Sequence, residues 1–87
     1  MKKRLKPITD MLDSLIGDAS VPRNVRNILA DAKRKLAESD DPVAGMSGAI
    51  YDLDAVSNDI NLSMHARTLV WNLLSELESV KEEQIKR

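Results

Sequence analysis

Apolar residues recur along this chain at intervals of three and four, in four blocks separated by short polar breaks. That interval places them on one face of an α-helix. Leu5, Ile8, Leu12, Leu15 and Ile16 form the first block and predict a helix over residues 5–17, with Pro7 in its first turn and Gly17 as its stop. Asp18-Ala19-Ser20-Val21-Pro22 then makes a turn, in which Ser20 is the candidate N-cap. Val25, Ile28, Leu29, Ala32 and Leu36 carry a second helix to about residue 37. Asp41-Pro42 is a strong third start, a capping carboxylate followed by proline at the first helical position. Val43, Met46, Ile50, Leu53 and Val56 carry that helix to about residue 57. After the turn at residues 58–63, Ala66, Leu69, Val70, Leu73, Leu77 and Val80 define a fourth helix over about residues 63–83. Asn61 and Ser63 are rival caps for it. Period-2 alternation and hairpin dipeptides such as Asn-Gly are missing, so no strand is expected.

Two blocks depart from a simple one-faced pattern. Gly45 and Gly48 lie inside the third helix, where each costs about 1 kcal/mol relative to alanine. Together with Ala44, Ala49 and Ala55 they leave one side with little bulk, which suits close helix–helix approach. Met64, Trp71 and Leu74 widen the apolar stripe of the fourth helix well beyond one face. They mark either a partner interface or, for Trp71, a ring that fills the core opposite the glycine-rich side of the third helix.

The blocks are also related to one another. A shift of 41 positions lays residues 12–37 over residues 53–78, with Leu12, Asp13, Asp18, Arg26 and Leu36 falling on Leu53, Asp54, Asp59, Arg67 and Leu77. Each half reads as helix, tight polar turn, helix, with hairpins at about residues 5–37 and 42–83. The period lies in the range of HEAT and armadillo repeats, about 40–47 residues, and the placing of Asp18 and Arg26, then Asp59 and Arg67, is HEAT-like. Each aspartate precedes a helix start, where negative charge suits the dipole, and each arginine is placed to fold back towards it. Two units cannot form a solenoid, which needs three or more. Two hairpins packed face to face form a four-helix bundle. The expectation is therefore an all-α, single-domain, up-and-down four-helix bundle built from two helix-turn-helix hairpins related by an internal repeat.

Composition narrows the chemistry. The chain of 87 residues has no Phe, one Trp and one Tyr, so its core is aliphatic. Without cysteine it has no disulfide, thiolate metal site or cysteine nucleophile, which fits a cytoplasmic protein. The basic start Met1-Lys2-Lys3-Arg4 is not followed by the apolar run of a signal peptide, and no stretch approaches the roughly 20 apolar residues of a membrane helix. One histidine, His65, cannot form a zinc cage. Asp10 with Asp13 and Asp52 with Asp54 read as ordinary polar helix faces, not as a catalytic pair in a cleft. Phosphate-binding loops, nucleophile elbows and Glu-x-x-His di-iron motifs do not occur. Neither an enzyme nor a cofactor or metal site is expected.

The net charge of −1 conceals an asymmetry. Residues 1–35 carry nine basic and four acidic side chains, a balance of +5, whereas residues 36–87 carry four basic and ten acidic, a balance of −6. Lys2, Lys3, Arg4, Lys6, Arg23, Arg26, Lys33 and Arg34 are thus a candidate face for nucleic acid or another anion. The overall charge and the lack of an aromatic stacking platform argue against that role. The first expectation is a non-enzymatic interaction or structural module that self-associates, through Met64, Trp71 and Leu74 or by pairing of opposite charges. The alternative is a nucleic-acid- or ribonucleoprotein-associated factor using the basic first half.

Ser20-Val21-Pro22-Arg23-Asn24-Val25-Arg26, with His65-Ala66-Arg67-Thr68-Leu69-Val70-Trp71-Asn72 and Ser75-Glu76-Leu77-Glu78, resembles a family of short archaeal proteins, uncharacterised protein family 0147. The resemblance spans nearly the whole chain and is loosest in the first helix. It implies an all-helical bundle from an archaeal cytoplasm and carries no activity or site residues with it.

Overall fold

The computed structural model describes residues 2–86, with side chains from residue 5 to residue 85. Four helices account for most of it: α1 (Lys2–Ile16), α2 (Arg23–Glu38), α3 (Pro42–Ser57) and α4 (Met64–Lys86). Each helix packs on its neighbours in sequence, α1 closes the ring against α4, and among the described residues the diagonal pairs make no close backbone approach. Short turns join antiparallel neighbours, so this is an up-and-down four-helix bundle. Its extents are 38 × 20 × 19 Å. At 1.5 Å per residue the 23 residues of α4 span about 34 Å, so the helices run along the long axis.

The core is aliphatic, as the composition requires. Leu12, Val25, Leu29, Ala32, Met46, Ala49, Leu53, Val70 and Leu77 are sealed from solvent, with contributions from all four helices. Ile28, Leu36, Ile50 and Leu69 are half-buried and pack around this centre.

The small-residue side of α3 faces α2. A methyl group at Gly45 would lie 2.7 Å from the Lys35 carbonyl oxygen, and one at Gly48 would lie 3.0 Å from Lys35 Cδ. The glycines therefore admit the backbone and the aliphatic stem of α2. Trp71 lies elsewhere, half-exposed on α4, and does not fill the core beside them.

Several helix ends differ from the expected ones. Pro7 lies inside α1 and not in its first turn, because the helix begins at Lys2. The ring removes one i→i−4 donor, and its exposed position leaves the helix otherwise intact. Gly17 follows α1 without a left-handed backbone. Ser20 caps nothing: α2 begins after Pro22 with no side-chain cap, and the Ser20 hydroxyl donates to Asp18 instead. Asp41 does cap α3, its Oδ1 accepting from the N–H groups of Val43 and Ala44 at 3.0 and 3.4 Å. Ser63, not Asn61, caps α4 through the N–H of Ala66 at 3.1 Å.

Candidate functional site

The two helix–turn–helix connections lie at the same end of the bundle and use the same bonds. In the first, the Asp18 N–H donates to the Leu15 carbonyl, the Val21 N–H to the Asp18 carbonyl, and the Ser20 N–H to Asp18 Oδ1 at 2.8 Å. Forty-one residues on, Asp59 donates to Val56, Leu62 to Asp59, and the Asn61 N–H to Asp59 Oδ1, also at 2.8 Å. Each aspartate therefore closes an Asx turn that aims the chain into the next helix. Asp18 also accepts from the Ser20 hydroxyl at 2.7 Å. These two Ser20 bonds, hydroxyl first and backbone second, hold its carboxyl below the ordinary 3.8, with smaller help from the charges of His65 and Arg26.

The arginines behave less simply than their spacing suggests. Arg67 folds back to Asp59, but its Nη2 donates to the backbone carbonyl at 2.7 Å. The Asp59 carboxylate is taken by the Asn61 N–H and by Asn24 Nδ2 from the other hairpin at 3.2 Å. Nε of both Arg26 and Arg67 is buried without a hydrogen-bond partner. This end of the bundle is a polar clamp between hairpins. Asn24 and His65 hold equivalent positions in the 41-residue alignment; Asn24 hydrogen-bonds the other hairpin's turn aspartate, whereas His65 acts on Asp18 through its charge alone.

Three residues of the expected basic face are ion-paired. Lys6 pairs with Asp10 at 3.4 Å, Lys33 with Asp13, and Arg34 with Asp31 at 3.2 Å and with Glu38 at 3.9 Å. Lys35 reaches across to Asp52 at 2.8 Å, past the gap left by Gly48. Arg23 is exposed, and Arg26 is drawn into the turn region. The side chains of Lys2, Lys3 and Arg4 lie outside the described residues. The candidate residues lie on α1 and α2, which pack against each other. Among the described residues no group of three or more His, Asp or Glu is arranged to hold a metal ion. No described helix is long and apolar enough to cross a membrane.

The apolar candidates do converge. Met64 and Trp71, two turns apart on α4, are 66% and 52% exposed, and Leu74 is half-buried beside them. Ile85, two heptads beyond Trp71, is 61% exposed and lines a shallow groove with Ile50, Glu78, Lys81 and Glu82 between α3 and α4. Sequence reasoning overlooked Ile85 and the still more exposed Ile60 (90%) and Tyr51 (76%). The seven-residue spacing from Trp71 through Glu78 was the available signal for Ile85; Ile60 and Tyr51 carry no comparable periodic mark.

A solved structure described as that of an unknown-function protein, MMP1188, superposes with a TM-score of 0.82, at 38% identity over 86% of each chain. An Archaeoglobus fulgidus protein is 43% identical over 82 residues, 94% of either chain. One from Methanocaldococcus jannaschii is 45% identical over 78 residues, covering 88% of this chain and 84% of its own. One from Saccharolobus islandicus is 38% identical over 80 residues, 91% and 90% of the two chains. All three relatives are named as UPF0147 proteins. The profile of that family matches residues 1–80, and the chain belongs to the uncharacterised protein family UPF0147.

Proposed function

We propose that this protein is a non-enzymatic interaction module of the cytoplasm that self-associates through the outer flank of α4. The observation that carries the reading is Trp71. A lone surface leucine needs no explanation. Half-exposed Trp71 lies on the same side of α4 as exposed Met64, with half-buried Leu74 one turn on, and aromatic and methionine side chains are enriched in interface cores. The absence of a catalytic role is supported by the carboxylates themselves: Asp10, Asp13 and Asp52 each pair with a lysine. The reading of the basic first half as a nucleic-acid face draws less support, because phosphate would have to displace the carboxylates already on Lys6, Lys33 and Arg34. The recurrence of the turn bonds at 41 residues supports an origin of the two hairpins by duplication.

Light scattering coupled to a sizing column tests the reading. The protein is expected to run as a dimer or larger at micromolar concentration, and Trp71→Glu as a monomer. Because Trp71 is on the surface, the substitution leaves helicity intact. A wild-type protein that stays monomeric at the highest attainable concentration would overturn self-association. Binding to mixed RNA at low salt, lost steeply as salt rises, would favour the alternative instead.

A further inference from the structure

We infer that the α4 surface is a two-fold seam in which α4 of one copy packs antiparallel on α4 of a second copy, centred between Leu74 and Ser75. This rests on the self-association proposed above and adds its geometry. Met64, Trp71, Glu78 and Ile85 follow one another at intervals of seven. Positions seven apart drift by only about 20° around a helix, so these four lie in one stripe on the exposed side of α4. The stripe is apolar at both ends and at Trp71, and Leu74 flanks its middle. From residue 64 to residue 85 it is about 32 Å long at 1.5 Å per residue, nearly the length of the bundle.

Charge decides the direction. Residues 64–75 carry no carboxylate, and their one arginine, Arg67, is held by the Asp59 carbonyl, whereas residues 76–86 carry Glu76, Glu78, Glu82 and Glu83 against Lys81 and Lys86, a balance of −2. A parallel, in-register pair would set Glu78 on Glu78 and Lys81 on Lys81 across the axis. Like charges facing one another are destabilising. An antiparallel pair sets the carboxylate-free start of each helix over the acidic end of the other. With the axis between Leu74 and Ser75, Met64 meets Ile85 and Trp71 meets Glu78, whose carboxylate can accept the indole N–H. Moving the axis to Trp71 would stack the two indoles but leave Ile85 beyond the partner's helix start, without an apolar counterpart. The central register is the one that uses both apolar ends of the stripe.

The chain has no cysteine, so single labels can be placed without background. Thr68 and Ser75 are both exposed on α4. Spin labels on Thr68→Cys and Ser75→Cys report the distance between the two copies of each position. In the antiparallel pair the copies of residue 75 lie almost opposite each other across an interaxial gap of about 8–10 Å. Those of residue 68 are offset by about 20 Å along the axis. The expected result is strong mutual broadening at residue 75 and a resolved, longer distance at residue 68. Equal short distances at both positions would mean a parallel pair and overturn the inference. Labels far apart at residue 75, in a species that sizes as a dimer, would overturn the seam and leave self-association standing. A monomer at labelling concentrations would overturn both.

Discussion

A methyl group at Gly45 would lie 2.7 Å from the Lys35 carbonyl oxygen and 2.8 Å from Ser39 Cβ. Backbone cannot step aside cheaply, so overpacking of about 1–3 kcal/mol outweighs the roughly 1 kcal/mol of helix propensity that alanine gains over glycine. At Gly48 the nearest atom is Lys35 Cδ at 3.0 Å, part of a flexible stem that can shift. Urea denaturation should therefore find Gly45→Ala less stable than the native protein, and less stable than Gly48→Ala by about 2 kcal/mol. Equal midpoints for the two variants would contradict the close approach of α2 at Gly45. Asp18 allows a test by pH. Its carboxyl is held below the ordinary 3.8, first by the Ser20 hydroxyl and then by the Ser20 N–H. A group with a lowered folded-state value contributes stability that is fully present above its unfolded value and fades as pH falls through the folded one. Asp18→Asn keeps an acceptor for the Asx turn but removes the charge. The advantage of the native protein over this variant should hold at neutral pH and shrink on acidification below 3.8. A gap in urea midpoint that does not change with pH would refute the charge contribution.

At the scale of the elements, the caps separate what the sequence makes legible from what it does not. Asp41-Pro42 announces α3 through purely local chemistry, and the bonds from Val43 and Ala44 form as that chemistry requires. The four apolar stripes were equally legible, because a period of three to four residues survives any arrangement of the partners. Ser20 misled, since Asp18 two residues earlier competes for its hydroxyl and its N–H. Ser63 has no such competitor and bonds Ala66. Ser63→Ala is accordingly expected to cost about 1 kcal/mol and to speed amide exchange at Ala66. Ser20→Ala removes only an exposed bond within the turn and should leave the first amides of α2 unchanged. If both variants frayed their helices alike, the assignment of the two caps would be wrong. The links from Asn24 to Asp59 and from Lys35 to Asp52 were not legible at all. They span 35 and 17 residues, and their existence depends on how hairpins cross, which no local pattern encodes. The glycines of α3 announced a close approach, but not that the neighbour would be Lys35.

For the whole molecule, the division of charge has a local outcome and a long-range one. Within the fold, Lys35 with Asp52 and Asn24 with Asp59 tie the basic half to the acidic half, while Lys33 with Asp13 neutralises charge inside the first hairpin. These contacts neutralise part of the cationic surface, while Met64, Trp71 and Ile85 on the flank of α4 stay exposed. An exposed tryptophan there has a thermodynamic consequence. If copies associate through it, the dimer is bound only in the folded state, and mass action makes apparent stability rise with protein concentration. The chain contains a single tryptophan, so its fluorescence reports the flank itself. Dilution from high to low micromolar concentration should shift Trp71 emission to the red before any loss of helix, as the ring passes from a covered to a hydrated surface. The melting temperature should fall over the same range. In Trp71→Glu the melting temperature should be independent of concentration and near that of the dilute native protein, because a half-exposed side chain contributes little to the monomer's core. Emission and melting temperature that stay constant on dilution of the native protein would show that the flank remains uncovered and that the role of Trp71 has to be sought in a different partner.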